Sequence, residues 1–66
     1  MTITNSNGAT FKTVPIKAGA PYGEYWVEVV LTSGKVIGVG QFDNSFQNEP
    51  AAEAWIDQHK EDSDYR

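Results

Sequence analysis

The alternation of apolar and polar side chains in the first third of the chain predicts a β-hairpin. Residues 2–5 and 10–16 are rich in threonine and β-branched side chains, which strands favour. Between them lies Asn7-Gly8, the dipeptide that most readily supplies the two positive φ angles of a type I′ turn. Pro15 has no backbone donor, so it limits the second strand to an edge or ends its pairing. Residues 18–23, with two glycines and a proline, are expected to form a loop.

A second hairpin has the clearest strand pattern. Its strands are residues 24–32 (EYWVEVVLT) and 35–42 (KVIGVGQF), joined by Ser33-Gly34. If these two residues form the turn, Val27 faces Gly40 and Val29 faces Gly38, which puts both glycines on one face of the sheet. Glycine inside a strand often marks the close approach of a bulky group. We therefore expect a large side chain over this pair.

A C-terminal helix is predicted over residues 49–60. Asn48 is a suitable N-cap, and Pro50 is tolerated in the first turn. Apolar or aromatic positions then recur at i, i+3, i+4 and i+7, namely Ala52, Trp55, Ile56 and His59. Trp55 is the side chain that we expect over Gly38 and Gly40. Residues 61–66 are expected to fray into a charged tail.

These elements predict an α+β fold in a single domain, residues 1–66. An antiparallel sheet of three or four strands carries one C-terminal helix on one face. The predicted register leaves a mixed group of side chains on the other face, which we call the open face: Glu24, Trp26, Glu28, Val30, Ile37, Val39 and Gln41. Contiguous apolar groups usually mark contacts. The N-terminal segment, a homodimer or another protein would each account for them.

Length and charge restrict the function classes. A chain of 66 residues buries only about 60% of the surface that its unfolded form exposes, which leaves little core around a deep catalytic pocket. Nine acidic residues against five basic ones give a formal net charge of −4. Direct nucleic-acid binding relies on Lys and Arg at phosphates, so it is disfavoured, and a basic protein partner is favoured. The alternative is that the charge only maintains solubility.

No feature of the sequence predicts catalysis, a cofactor or a metal. His59 is the only histidine, and we expect it to pack beside Ile56. The serines lack a nucleophile-elbow context. Glu61, Asp62 and Asp64 do not follow a calcium-loop pattern. The chain has no cysteine, and it shows neither a signal-peptide pattern nor an apolar run long enough to cross a bilayer. We expect a cytoplasmic protein that is not an enzyme.

One pattern points to a binding surface. Glu49, Glu53, Asp57 and Glu61 lie four residues apart, so on a helix they form one row, which we call the acidic row. Each like-charge pair at this spacing costs about 0.2–0.5 kcal/mol, so the row is expected to work against the fold. Its members repeat about every 6 Å along the helix axis and resemble a line of phosphates. Glu24 and Glu28 are further candidates. The alternative is an ordinary solvated helix face, partly compensated by Lys60 and Arg66.

In being short, acidic and free of cysteine, with a compact sheet and one helix, the chain resembles the phage-encoded anti-CRISPR proteins. Within that group it looks most like the inhibitors of type I effector complexes. The resemblance implies a stoichiometric inhibitor in the cytoplasm of a bacterial host. Its partner would be a basic surface of a Cas effector subunit, from which it excludes DNA by acidic DNA mimicry; the inhibitor itself binds neither nucleic acid nor membrane, and is a monomer or homodimer.

A different function class stays open from the same sequence. The chain would then be a small adaptor or subunit domain that binds protein through the open face. Trp26, Val30 and Ile37 would make the contact, and the acidic residues would serve solubility. An aromatic anchor such as Trp26 is the residue type that most often carries binding energy at a protein interface.

Overall fold

The structure, a computed structural model, describes residues 2–16, 24–41 and 44–66. It contains four strands and one helix, which are β1 (Thr2–Thr4), β2 (Thr10–Pro15), β3 (Tyr25–Val30), β4 (Val36–Val39) and α1 (Glu49–His59). The strands form one sheet in the order β1-β2-β3-β4, each antiparallel to its neighbour. The helix packs on one face, so the predicted α+β class is confirmed. The predicted loop at residues 18–23 lies outside the described residues.

The core lies between α1 and the two central strands. Phe11, Val27, Val29 and Ile56 are its largest fully buried side chains. Because successive strand residues point to opposite faces, burial of Val27 and Val29 fixes the side of β3 that meets the helix. On that strand the predicted faces are confirmed: Trp26, Glu28 and Val30 lie on the open face, where each is half-buried.

The first hairpin exists, but its predicted type I′ turn at Asn7-Gly8 is wrong. Thr4 pairs with Thr10, so five residues connect the strands, and only Gly8 of the dipeptide has a positive φ, +94°. The side chain of Asn5 organises this loop instead, as described below. Pro15 is the last residue of β2 and lies beyond the reach of β1, which pairs only as far as Lys12. β2 is nevertheless an inner strand, and its pairing with β3 includes Pro15 opposite Tyr25 and continues with the Ile16 N–H, which donates to the Glu24 carbonyl at 3.0 Å. The expectation that Pro15 limits β2 to an edge or ends its pairing is therefore wrong for the pairing with β3.

The second hairpin is displaced by one residue from its predicted register. The Leu31 N–H donates to the Lys35 carbonyl at 2.9 Å, and the Gly34 N–H donates to the Leu31 carbonyl at 2.8 Å. The loop therefore has three residues and ends in Gly34 at φ +92°. Glycine in this left-handed position is the common solution for a three-residue hairpin loop. The predicted two-residue turn at Ser33-Gly34 is wrong.

A one-residue displacement transfers every side chain of β4 to the opposite face. Ile37 and Val39, predicted on the open face, pair with Val29 and Val27 and pack against the core. Gly38 takes a place on the open face. Trp55 therefore does not cover the two glycines. A Cβ at Gly38 would meet the Gln41 side chain, and one at Gly40 would meet the Asn44 carbonyl and the Phe46 ring.

The helix begins and ends close to where it was predicted. The Asn48 side chain accepts a hydrogen bond from the Ala51 N–H at 2.9 Å, which is the expected N-cap, and Pro50 occupies the first turn. The helix ends at His59, with Lys60 as its C-cap. Ala52 and Ile56 pack one side of α1 against the sheet. This packing fixes which side chains of the helix face solvent.

Residues 61–66 do not fray, contrary to expectation. Tyr65 is half-buried against the core, and its ring meets Phe11 edge-on at a centroid distance of 5.3 Å. The Arg66 carbonyl accepts a hydrogen bond from the Thr32 N–H at 3.0 Å. This segment returns across the end of the sheet where the two hairpin loops lie. An aromatic anchor and backbone hydrogen bonds outweigh its local charge repulsion.

The N-terminal segment does not cover the open face. Residues 2–4 form β1, which lies beside β2 at the edge of the sheet. One of the explanations offered for the open face is therefore wrong. A homodimer and another protein remain.

Candidate acidic interface

The acidic row is shorter on the helix than predicted. Glu49, Glu53 and Asp57 lie on α1, but the helix ends at His59 and Glu61 follows in the next turn. The stiff array therefore has three carboxylates instead of four. Glu61 is placed by the segment after the helix, so its position depends on contacts other than the helix backbone.

Glu49 supports the fold. Its carboxylate accepts a hydrogen bond from the Thr13 hydroxyl at 2.8 Å, and Thr13 is only 5% exposed. A buried hydroxyl without a partner is costly, so this contact stabilises the packing of α1 on β2. Glu49 also lies in the first helical turn, where negative charge is favoured by the helix dipole. The expectation that the whole row works against the fold is wrong for this residue.

Glu61 is also engaged with the rest of the fold. Its carboxylate accepts hydrogen bonds from the Ser6 N–H, at 3.3 Å, and from the Ser6 hydroxyl. Ser6 belongs to the loop between β1 and β2, so Glu61 joins that loop to the turn after the helix. Both ends of the acidic row are thus held by hydrogen bonds within the chain.

The two middle members are the ones most available to a partner. The Asp57 side chain is 71% exposed and lies 3.9 Å from the Lys60 ammonium, a pair that is worth about 0–1 kcal/mol at such exposure. Glu53 is half-buried and makes no hydrogen bond or ion pair with any residue in the described ranges. Of the two cations expected to compensate the row, Arg66 donates instead to the Ser63 carbonyl.

The candidate acids of the sheet do not join the row. Glu28 lies on the open face, on the opposite side of the sheet from α1, where its partner in the register is Lys12 of β2. Glu24 precedes β3 and is exposed, and its carboxylate accepts a hydrogen bond from the Ser45 hydroxyl at 3.4 Å. The structure thus separates the predicted binding residues into two surfaces.

The second surface is the open face itself. Val14 of β2 pairs with Trp26, and Val30 pairs with Val36 across β3 and β4. Val36 is 57% exposed, and the other three are half-buried. The open face therefore carries two cross-strand apolar pairs. The oppositely charged residues Lys12 and Glu28, which lie opposite each other in the register, separate these two pairs.

Asn5 was not predicted from the sequence, although it is the most connected polar residue described. It is 6% exposed. Its Oδ1 accepts from the N–H groups of Asn7 and Ala9 at 3.0 and 2.9 Å, and its Nδ2 donates to the carbonyls of Lys60 and Tyr65 at 2.7 and 2.8 Å. The two contacts of its Nδ2 could not be predicted from local sequence, because these partners are 55 and 60 positions away.

His59 has a packing role with one polar contact. Its ring stacks on Trp55 at a centroid distance of 4.8 Å, and its Nδ1 lies 3.1 Å from the Asp62 carboxylate. The expected packing role thus includes an aromatic contact with Trp55 that the sequence did not predict. In the described parts of the chain, no cluster of three histidine or acidic side chains has an arrangement that would hold a metal ion.

The pKa of Tyr65 is raised above its ordinary value. Burial raises the pKa of the phenol, and the negative charges of Asp62 and Asp64 raise it further. The ring therefore stays neutral in the folded chain at any pH below its usual titration range. This suits its packing against Phe11 and Trp55.

Comparison with known proteins adds no family. No protein-family model, no curated protein and no solved structure matches the chain. Nor does the described part of the fold contain a helix with the length and apolar character needed to span a membrane. Arguments about function therefore start from the geometry of the two surfaces.

Proposed function

We propose that the protein is a non-enzymatic inhibitor that binds a basic nucleic-acid-binding surface of a CRISPR effector complex and blocks DNA binding by acidic mimicry. The observation that carries the proposal is the pair Glu53 and Asp57 on the side of α1 that the core leaves accessible. The choice of a CRISPR effector as the target comes from the resemblance in size, charge and element content. Glu49 and Glu61 extend the same negative surface while holding the fold together.

The geometry of α1 suits the proposed mimicry. Side chains four residues apart on a helix are separated by about 6 Å along its axis, against about 3.4 Å between phosphates along one DNA strand. The row thus offers roughly one negative charge for every two phosphates of a strand. Anchoring of Ala52 and Ile56 in the core fixes the helix before a partner arrives, which lowers the entropic cost of binding.

Reversal of both accessible charges tests this proposal. Glu53→Lys combined with Asp57→Lys should weaken inhibition of DNA binding by a type I effector complex at least about a hundredfold, because like charges then oppose each other at the interface. The inhibition constant is measured from DNA gel-shift titrations at low and moderate salt. The wild-type protein should lose potency as salt rises, since screening weakens exposed charges.

A matched control separates position from net charge. Asp62→Lys with Asp64→Lys makes the same change in total charge within the exposed segment after the helix, and it should retain most of the inhibition. Circular dichroism establishes that both double variants fold. If the folded Glu53 and Asp57 variant inhibits as well as the wild type, the acidic row has no part in the mechanism. Equal losses of inhibition in both double variants would mean that inhibition depends on net charge and not on the position of the carboxylates.

The open face favours a second candidate, a small adaptor or subunit domain that binds protein through Trp26, Val30 and Val36. The specific observation is the two apolar pairs on this face, Val14 with Trp26 and Val30 with Val36, with Val36 more than half exposed. Ile37, named for this role from the sequence, is excluded because it faces the core.

Trp26→Ala distinguishes the two candidates. If the open face binds the partner, this change should weaken association by about 2 kcal/mol, as expected for an aromatic anchor, while the Glu53 and Asp57 reversal has little effect. Partners are captured from a bacterial lysate at low and high salt, and their affinities are then measured by titration. Thr4→Ala, on an outer strand of the same face, serves as the control. Capture that disappears at high salt but tolerates Trp26→Ala would contradict this candidate.

A further inference from the structure

The edge of the sheet at β4 is a short strand of aliphatic residues and glycine. β4 is the last strand in the sheet order, and its only described neighbour is β3. Natural edges are commonly protected by charged side chains, proline, a bulge or very short length. Val36–Val39 reads VIGV, without charge or proline, and Val36 is 57% exposed. The opposite edge, β1, has only three residues.

The hydrogen-bond pattern identifies the backbone groups that face outward from this edge. Leu31 donates to the Lys35 carbonyl, so this pair is a hydrogen-bonded one. Hydrogen-bonded and non-hydrogen-bonded pairs alternate along an antiparallel ladder. The pairs Val29–Ile37 and Val27–Val39 are therefore bonded to β3. The N–H and C=O groups of Val36 and Gly38 therefore point away from β3, outward from the edge of the sheet.

The side chains next to this edge define what kind of strand would fit. Across the sheet, Lys12, Glu28 and Gly38 follow one another in register. Gly38 has no side chain that would separate the Glu28 carboxylate from the edge. The Gln41 side chain lies in the space that a side chain at Gly38 would occupy. With strands about 4.8 Å apart, a residue added opposite Gly38 would lie about 9.6 Å from Glu28, which a lysine or arginine can span.

We propose that the β4 edge binds an extended segment of another protein as a fifth strand. The segment carries a basic residue opposite Gly38, directed at Glu28, and an aliphatic residue opposite Val36, beside Val30. Main-chain hydrogen bonds to Val36 and Gly38 supply affinity, and these two side-chain positions supply selectivity, as in other cases of strand addition. The surface is separate from the acidic row, so this inference does not depend on the proposed inhibition.

A second copy of the chain fits this edge less well. The outward groups belong to even-numbered residues, so antiparallel pairing of two β4 strands places even-numbered residues opposite one another. The nearby lysine, Lys35, is odd-numbered and lies on the other face. No basic residue would then stand opposite Gly38, and each copy brings a net charge of −4, which opposes association.

The test is a titration of the folded protein with three capped heptapeptides, monitored by amide chemical shifts. Each peptide has lysine, threonine or glutamate at its central position, valine two residues to either side of it and threonine elsewhere, so that the central side chain and the valines share one face of the strand. The lysine peptide is expected to bind most tightly and to shift the amides of Val36 and Gly38 most. Glu28→Gln should reduce the preference for lysine over threonine about threefold, since an exposed ion pair has a modest effect.

Val36→Pro tests the backbone contact directly. Proline is tolerated at an edge where the N–H faces solvent, so the fold should survive, and the lysine peptide should bind about tenfold more weakly through loss of one hydrogen bond. Val36→Thr keeps the N–H and serves as the control. Unchanged binding by folded Val36→Pro, shifts confined to α1 or β1, equal affinity for the glutamate peptide, or no binding of the lysine peptide would each overturn the inference.

Discussion

Phe11→Ala is expected to remove a large part of the free energy of unfolding of this protein. Phe11 is fully buried, and its ring lies 5.3 Å from Tyr65 and 6.4 Å from Trp55 between centroids. Loss of a buried phenylalanine side chain costs about 3–5 kcal/mol. Domains have about 0.05–0.15 kcal/mol of stability per residue, which gives roughly 3–10 kcal/mol for a chain of this length. The substitution therefore removes a large part of the total.

Urea denaturation followed by tryptophan fluorescence measures this effect. Phe11→Leu is the matched control, because it keeps most of the volume and should cost less than about 1.5 kcal/mol. A loss below about 1 kcal/mol for Phe11→Ala would mean that the sheet and helix do not pack on this ring as described.

Asn5→Ala is expected to lower the free energy of unfolding by about 3 kcal/mol, because the change removes four hydrogen bonds at a buried site. The N–H of Ala9 and the carbonyls of Lys60 and Tyr65 lose their partner. The loop between β1 and β2 and the segment after α1 should loosen together. Amide hydrogen exchange should therefore increase at both places at once.

Asn5→Asp makes the test more specific. The acceptor for Asn7 and Ala9 is kept, while a carboxylate oxygen replaces the amide donor that faces the two carbonyls. Burial and the facing carbonyls should raise the pKa of this aspartate in the folded state, so the variant should gain stability as pH falls through that raised pKa. Asn7→Ala, at an exposed position in the same loop, should cost less than about 0.5 kcal/mol. Equal losses in Asn5→Ala and Asn7→Ala would contradict the assigned role.

The fold class was predictable because its main signals are local. Period-two alternation identified β3, and the burial of Val27 and Val29 confirms its predicted core face. The helix was predicted from the Asn48 cap and the recurring apolar positions, and both its cap and its buried Ala52 and Ile56 are confirmed. Such signals depend only on residues that are a few positions apart in the sequence.

The register of β4 was not predictable by the same means. Ser33-Gly34 suits a two-residue turn, but Gly34 equally suits the last position of a three-residue loop. The choice depends on which side chains of β4 the core accepts. Placing Ile37 and Val39 inside buries two aliphatic groups, whereas the predicted register would have buried two glycines. Hydrophobic burial decides between turns of similar local energy.

The candidate site was predictable only as a list of residue types. Spacing located Glu49, Glu53 and Asp57 on one helix, which the structure confirms. That Thr13 and Ser6 would engage the carboxylates of Glu49 and Glu61 was not visible, because each contact joins distant parts of the chain. The proposed binding role therefore falls chiefly on Glu53 and Asp57.

The bonds from Asn5 to Lys60 and Tyr65 have a consequence for how the chain acquires its structure during synthesis. They join residues 55 and 60 positions apart, so on a translating ribosome the first loop must wait until the helix and the segment after it have emerged. Closing so long a loop carries an entropic cost and slows folding. Until then the Asn5 side chain lacks two of its four hydrogen-bond partners, and the nascent sheet is held by its strand pairing and its hydrophobic contacts.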